Sequence, residues 1–107
     1  MTALIFPDEV FIERKPSEQS ASCEFDFKGH QFYLSHKHEF SLHHNKHHFV
    51  CKIDGKQYSF GVARSRLGAG SYGNRPVIEI EGKLYRFSVL WPDSEGRFGV
   101  RFAPFHH

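Results

Sequence analysis

Phe25-Asp-Phe-Lys-Gly-His-Gln-Phe-Tyr-Leu34 decides the fold, because its pattern occurs twice more in the chain. The copies are Cys51-Lys-Ile-Asp-Gly-Lys-Gln-Tyr-Ser-Phe60 and Ile78-Glu-Ile-Glu-Gly-Lys-Leu-Tyr-Arg-Phe87. Each places a charged residue and Gly between two alternating apolar runs. This arrangement predicts a two-residue hairpin turn of type I′, whose positive φ angles are readily adopted by Gly. The three copies therefore indicate a protein built from β-hairpins.

The register of each hairpin can be tested from the faces on which its apolar residues lie. With Lys28-Gly29 as the turn, the cross-strand pairs are Phe27 with His30, Phe25 with Phe32, and Cys23 with Leu34. All the apolar residues then share one face, whereas a shift of one residue would move them to the other. The same test succeeds for Asp54-Gly55 and Glu81-Gly82.

Alternating apolar residues predict further strands on both sides of these hairpins. Residues 1–6 read as a short edge strand, and residues 8–15 favour a strand over a helix because Val10-Phe11-Ile12 is β-branched and aromatic. From residue 22 onward the predicted strands are 22–27, 30–34, 38–44, 47–53, 56–63, 76–81, 83–91 and 97–103, with the last turn at 91–96. The predicted fold class is all-β: a small antiparallel β-barrel or β-sandwich of consecutive hairpins, with little or no helix.

The size and composition of the chain favour one domain. Its 107 residues include 12 Phe, enough apolar material for a single core over 1–107, with 1–21 as an N-terminal segment. No apolar run has the length of a membrane helix, and the N-terminus lacks the basic flank of a secretory signal. We expect a cytoplasmic protein without a membrane role.

The two cysteines are expected to be reduced thiols. Cys23 and Cys51 both fall on apolar faces, where free cysteines are common. A disulfide would require that their strands be neighbours. His106 and His107 carry no argument, since a purification tag would read the same.

Positive charge is concentrated after the first quarter of the chain. The net charge is +2, yet residues 1–27 hold six acids and two cations, so the other 80 residues carry +6. Between Lys56 and Arg75 there are four cations and no acid. This distribution predicts an anionic partner.

Residues 64–75 are predicted to form a long loop rich in Gly and Arg. Its formal GxGxxG lacks the following helix that a dinucleotide site requires. Three arginines bracket a tyrosine and exposed backbone amides, a set that suits phosphate or carboxylate groups because Arg binds them bidentately and Tyr can stack. The predicted partner-binding residues are Arg64, Arg66, Tyr72 and Arg75.

Histidines are unusually dense between residues 30 and 48, which hold seven of the nine in the chain. With Asn45-Lys46 as a turn, His44 faces His47 on the core face, Leu42 faces Phe49, and Phe40 faces Cys51. If the strand phase continues from Phe32, His36 and His38 also point inward. Cross-strand neighbours have Cβ atoms about 5 Å apart, so two of their imidazoles can bind one transition-metal ion.

The candidate metal ligands are therefore His36, His38, His44 and His47, with Zn, Ni or Cu as the divalent ion. His36-Lys-His38 resembles the HxH of cupin metal sites, but the downstream Glu and the second cupin motif are absent, so that family is not assigned. The alternative interpretation is a solvated hairpin tip with one or two histidines at the core edge.

These observations predict a non-enzymatic binding module that recognises an acidic protein surface or nucleic acid through its basic Gly-rich loop. No nucleophile elbow, spaced triad or inward carboxylate pair favours an enzyme. Two alternatives stay open: a transition-metal-binding β-barrel that uses the histidine hairpin, and a small β-barrel enzyme or ligand carrier with an aromatic-lined interior. The oligomeric state is open too, because an exposed edge strand allows a dimer.

Overall fold

The computed structural model describes residues 1–15, 17–18, 21–90 and 97–105. Within these residues the chain forms ten strands and no helix. The strands are β1 (Thr2–Ile5), β2 (Val10–Arg14), β3 (Ser22–Phe27), β4 (His30–Phe40), β5 (His44–Ile53), β6 (Lys56–Ser65), β7 (Gly68–Gly73), β8 (Val77–Ile80), β9 (Lys83–Leu90) and β10 (Phe98–Pro104). The predicted turn at 91–96, His106 and His107 lie outside the described residues, as does part of the N-terminal segment.

The strands form two five-stranded antiparallel sheets. Sheet one has the order β1-β2-β10-β9-β8, and sheet two is the meander β3-β4-β5-β6-β7. Their inner faces pack against each other, with the ring centroids of Phe32 in sheet two and Phe102 in sheet one 5.0 Å apart. The sheets do not close into a barrel, so the all-β prediction is confirmed and its sandwich form is the one observed.

The three predicted hairpins are confirmed in their register. Phe25 pairs with Phe32 in the first, and the same offsets recur in the other two. Both residues of each turn have positive φ, for example 50° at Asp54 and 86° at Gly55, as type I′ requires. The two N-terminal strands are confirmed as well, and β1 is the edge of sheet one.

The core is aromatic and draws on both sheets. Its buried members are Val10, Ile12, Phe25, Phe27, Phe32, Leu34, Phe49, Cys51, Ile53, Phe60, Ile80, Tyr85, Phe87, Phe98, Val100 and Phe102. Cys23 and Cys51 are free thiols, as expected. Cys23 on β3 and Cys51 on β5 are both cross-strand partners of Leu34, so β4 lies between their two strands.

The predicted turn at Asn45-Lys46 is wrong. β4 runs without a break to Phe40, and β5 begins at His44, so the turn is formed by residues 41–43. Ser41 closes this turn, because its backbone N–H donates to the His44 carbonyl at 2.8 Å and its hydroxyl accepts from the His44 N–H at 3.2 Å. Because β4 is unbroken, its inward-facing positions stay in phase with Phe32 as far as Phe40. The backbone of β4 also pairs with that of β5 over several more residues.

The predicted loop over 64–75 is also wrong. β6 continues to Ser65, Arg66 and Leu67 form the turn, and β7 pairs with β6 along its whole length. Glycine makes this pairing possible, because a Cβ at Gly61 would lie 2.5 Å from the Tyr72 ring and one at Gly73 would lie 2.5 Å from the Ser59 carbonyl oxygen. In the described part of the chain, no helix has the length and apolar character needed to cross a membrane.

Candidate functional site

The structure brings together three of the four histidines that were proposed as metal ligands. His36 and His47 are buried, at 6% and 2% exposure, and their ring centroids lie 5.0 Å apart. His38 is exposed and stacks on His47 with a centroid distance of 4.4 Å. His44 does not join them, because it lies three residues from His47 on the same strand and therefore points to the opposite face.

A hydrogen-bond chain fixes the tautomers of the buried pair. Nη1 of Arg14 donates to Nδ1 of His36 over 3.1 Å, since a guanidinium can only donate. The ring proton of His36 is therefore on Nε2, which donates to Nδ1 of His47 over 2.8 Å. Both imidazoles are neutral in this arrangement.

Burial holds both histidines in the neutral form. It lowers the pKa of His36 to about 3, and the nearness of His47 and of the Arg14 guanidinium adds to the effect. Burial is also the main cause that lowers the pKa of His47 to about 4, followed by the neighbouring charges of His38 and Arg14. Phe98 of sheet one stacks on both rings, at 4.6 Å from His36 and 4.2 Å from His47.

This geometry suits a hydrogen-bonded pair of neutral histidines, His36 and His47, within the core. Both nitrogens of His36 are engaged, and the His38 and His47 rings are parallel to within 2°, so their in-plane lone pairs do not converge. Across residues 1–15, 17–18, 21–90 and 97–105, no group of three or more His, Cys, Asp or Glu is placed to hold a metal ion. The Zn, Ni or Cu site stays a prediction.

Tyr72 belongs to a second polar cluster, on the outer face of sheet two. Its hydroxyl donates to Nδ1 of His48 at 2.5 Å, and Nε2 of His48 donates to Oε2 of Glu39 at 2.9 Å. The aromatic ring lies over Gly61, where there is no Cβ to obstruct it. The cluster thus ties β7 to β4 and β5.

The four predicted partner-binding residues do not form one cluster. Arg64 has the same parity as Phe60 and so points to the inner side of sheet two, whereas Tyr72 lies on the outer side. Arg66 is exposed in the β6–β7 turn. Arg75 is half-buried beyond β7, with its guanidinium 6.0 Å from the centre of the Phe60 ring.

The tip of sheet two is a surface that sequence reasoning missed. We define the distal tip as residues 37–46 and 63–68, the adjoining ends of the β4–β5 and β6–β7 hairpins. Phe40, Leu42 and Leu67 are 75%, 91% and 100% exposed there. The predicted core positions of Phe40 and Leu42 are therefore wrong: Leu42 is in the turn, and Phe40 has the inward parity but lies beyond the cover of sheet one.

The distal tip also carries positive charge. Its ionised side chains are Lys37, Lys46, Arg64 and Arg66 against the single acid Glu39, which is paired with His48. One feature of the sequence could have revealed this surface: apolar residues lie in or beside the β4–β5 and β6–β7 turns, where a hairpin ordinarily has polar residues.

No protein-family model, curated protein or solved structure matches this chain at a significant level.

Proposed function

We propose that this protein is a non-enzymatic β-sandwich binding module that recognises an acidic protein partner through the distal tip. The observation that carries the proposal is the exposure of Phe40, Leu42 and Leu67 beside four cations and one acid. Large apolar side chains ringed by polar ones are typical of interaction surfaces. Arginine and aromatic residues are also enriched in the central part of protein interfaces.

The positive charge of the distal tip favours a negatively charged partner. Within the distal tip itself, Glu39 is the one acid and is paired with His48, so its cations outnumber its acids by four to one. Burying the Arg66 guanidinium against an apolar partner would remove its charge from water, which costs several kcal/mol. A partner carboxylate removes that cost through bidentate hydrogen bonds.

The apolar side chains favour a protein over a nucleic acid as the partner. Single-stranded nucleic acids bind to aromatic rings on which bases can stack. Tyr72 is the aromatic residue in the Gly-rich segment, but its ring lies on Gly61 and its hydroxyl is bonded to His48. Of the three exposed apolar side chains of the distal tip, Leu42 and Leu67 offer no stacking surface, and Phe40 alone does. The free thiols Cys23 and Cys51 fit a reducing compartment such as the cytoplasm.

Selection from a random peptide library displayed on phage tests the proposal. The wild-type protein is expected to enrich peptides rich in Asp and Glu with interspersed apolar residues. The Arg64→Glu, Arg66→Glu variant should lose this enrichment, and binding of the selected peptides should weaken between about 0.1 and 1 M salt. Leu42→Ser with Leu67→Ser should weaken the same peptides by at least about tenfold, since two apolar side chains lose their burial.

The matched control is Lys52→Ala with Lys56→Ala, which removes two cations from the opposite end of the same sheet and should leave the selection unchanged. Peptides without acidic enrichment, or the same peptides from wild type and the Arg64→Glu, Arg66→Glu variant, would contradict the proposal. Tighter binding of oligonucleotides than of any selected peptide, measured by fluorescence anisotropy, would assign the tip to nucleic acid instead.

A further inference from the structure

We propose that the acidic partner binds as an extended segment that adds a strand to the free edge of β7. This inference rests on the proposed function and specifies how the partner is held. β7 is the terminal strand of sheet two, and no strand of the described residues pairs with its outer edge. Strand addition at such an edge is a general mode of peptide recognition, in which backbone hydrogen bonds supply affinity and side chains supply specificity.

The register of β7 identifies the backbone groups that face outward. The Ser65–Gly68 pair closes a two-residue turn and is therefore a hydrogen-bonded pair. In an antiparallel ladder such pairs alternate with non-hydrogen-bonded ones, so Gly68, Gly70 and Tyr72 bond to β6. The bond from the Asn74 N–H to the Ser59 carbonyl, at 2.8 Å, has the same phase. Ala69 and Ser71 consequently direct their N–H and C=O groups to the free edge.

The edge is held in place before any partner arrives. The Tyr72 ring sits where a Cβ at Gly61 would be, and its hydroxyl is bonded to His48. At the other end, Gly73 packs so closely that a Cβ there would lie 2.5 Å from the Ser59 carbonyl oxygen. A strand fixed in this way loses little further conformational entropy on binding, which favours affinity.

The edge also lacks the usual devices that prevent pairing. Natural edge strands are protected by charged side chains, proline or bulges. β7 contains Gly, Ala, Ser and Tyr alone, and all six of its residues are exposed. β8, an edge strand of sheet one, differs. It has four residues, one of them is the charged Glu79, and Pro76 directly precedes it. β7 is thus less obstructed to a new strand than β8 is.

Charge favours an acidic segment over a second copy of this chain. Arg66 is exposed in the turn before β7, and Arg75 follows β7 by two residues with its guanidinium over the Phe60 ring, so a cation lies near each end of the strand. Antiparallel pairing of two β7 strands would bring Arg66 of one copy toward Arg75 of the other, and like charges repel. An extended segment with carboxylates near its ends would instead meet opposite charge at both ends.

The test uses a capped synthetic peptide that alternates glutamate and valine over about six residues, a usual strand length. Binding to the ¹⁵N-labelled protein is expected to slow hydrogen exchange at the amides of Ala69 and Ser71. Ser71→Pro removes one outward N–H, which an edge strand tolerates, and should raise the Kd by about tenfold. Ser71→Ala keeps that N–H and should leave the Kd unchanged.

The peptide itself gives a control that needs no variant. N-methylation of the alternate peptide residues whose N–H groups face β7 should abolish binding, and N-methylation of the other alternate residues should leave it intact. Replacement of the glutamates by lysine should also remove binding. Binding that depends on Arg66, yet is unaffected by Ser71→Pro and gives no protection at Ala69 or Ser71, would overturn strand addition and leave the acidic-partner proposal standing.

Two other outcomes would also overturn the inference. If neither this peptide nor any library peptide binds, the proposed function fails together with it. If the amides of Ala69 and Ser71 become protected in the protein alone as its concentration rises, a second copy covers the edge, and the acidic segment is not its occupant.

Discussion

His36 and His47 occupy inward positions that a β-sandwich ordinarily gives to apolar side chains. They are tolerated because Arg14 donates to His36 and His36 donates to His47, so the buried polar atoms of His36 are satisfied. Their flat rings also pack like aromatic residues against Phe49 and Phe98. The cost is that neither ring can accept a proton without placing a second positive charge beside Arg14.

This pair predicts a loss of stability in acid. The folded-state pKa values, about 3 for His36 and about 4 for His47, lie below the ordinary value of 6.5. The unfolded chain therefore binds more protons below pH 6.5, and the stabilisation present above that pH is lost as the pH falls toward the folded values. Each histidine contributes a slope of up to about 1.4 kcal/mol per pH unit within this window.

Urea unfolding at a series of pH values between about 7.5 and 4.5 measures this slope. The variant His36→Phe with His47→Phe keeps two flat rings in the core and should flatten it. His44→Gln removes an exposed histidine and should leave the slope unchanged. An equal slope in wild type and in the double Phe variant would show that other groups cause the acid sensitivity.

At the level of elements, β7 is unusual because all six of its residues are exposed. Its position depends on backbone pairing with β6 and on the Tyr72 side chain, which crosses the outer face of β6 to reach His48 on β5. Gly61 is the residue on β6 that leaves room for this crossing. The position of β7 against β6 therefore depends on Gly61.

Gly61→Ala is expected to destabilise the protein by about 1–3 kcal/mol, the usual cost of overpacking. The added Cβ would lie 2.5 Å from the Tyr72 ring and from the His47 carbonyl oxygen, and the backbone contact cannot be relieved by a rotamer change. The matched control is Gly70→Ala on β7, where nothing lies within 4 Å of the new Cβ. Urea denaturation distinguishes the two variants, and equal stability would refute the role assigned to Gly61.

For the molecule as a whole, Phe98 joins the two sheets at the end of the sandwich nearest the distal tip. It projects from sheet one onto His36, His47 and Phe49 of sheet two, with ring centroids 4.6, 4.2 and 5.6 Å away. Beyond it no strand of sheet one covers sheet two in the described part of the chain, and the inward-facing Phe40 is 75% exposed. Phe98 therefore marks the boundary between core and interaction surface.

Phe98→Ala should lower the free energy of unfolding by about 3–5 kcal/mol, because it removes a fully packed ring and leaves a cavity. The same substitution at Phe40 removes a ring that is 75% exposed and should change stability by less than about 0.5 kcal/mol. Thermal and urea unfolding of both variants provide the measurement. Similar losses at the two positions would mean that sheet one covers the tip in solution.

The sequence alone determined the hairpins and the faces of their strands. A charged residue followed by Gly selects the type I′ turn at Lys28-Gly29, Asp54-Gly55 and Glu81-Gly82, and the two-residue period of a strand then sorts inward from outward side chains. These signals act between residues close in the chain, so no tertiary information is needed to read them. The free state of Cys23 and Cys51 was predicted on the same local grounds.

Only the tertiary structure decided where sheet two ends relative to sheet one and how the Gly-rich segment pairs. Alternation cannot tell whether an inward residue is covered, which is why Phe40 was placed in the core and why the separation of Arg64, Tyr72 and Arg75 was missed. β7 has no apolar periodicity to reveal it, because it is held by backbone pairing with β6 and by the contact of its own Tyr72 ring with Gly61 of β6. Both features depend on contacts between residues distant in the chain, whose packing energy no local pattern encodes.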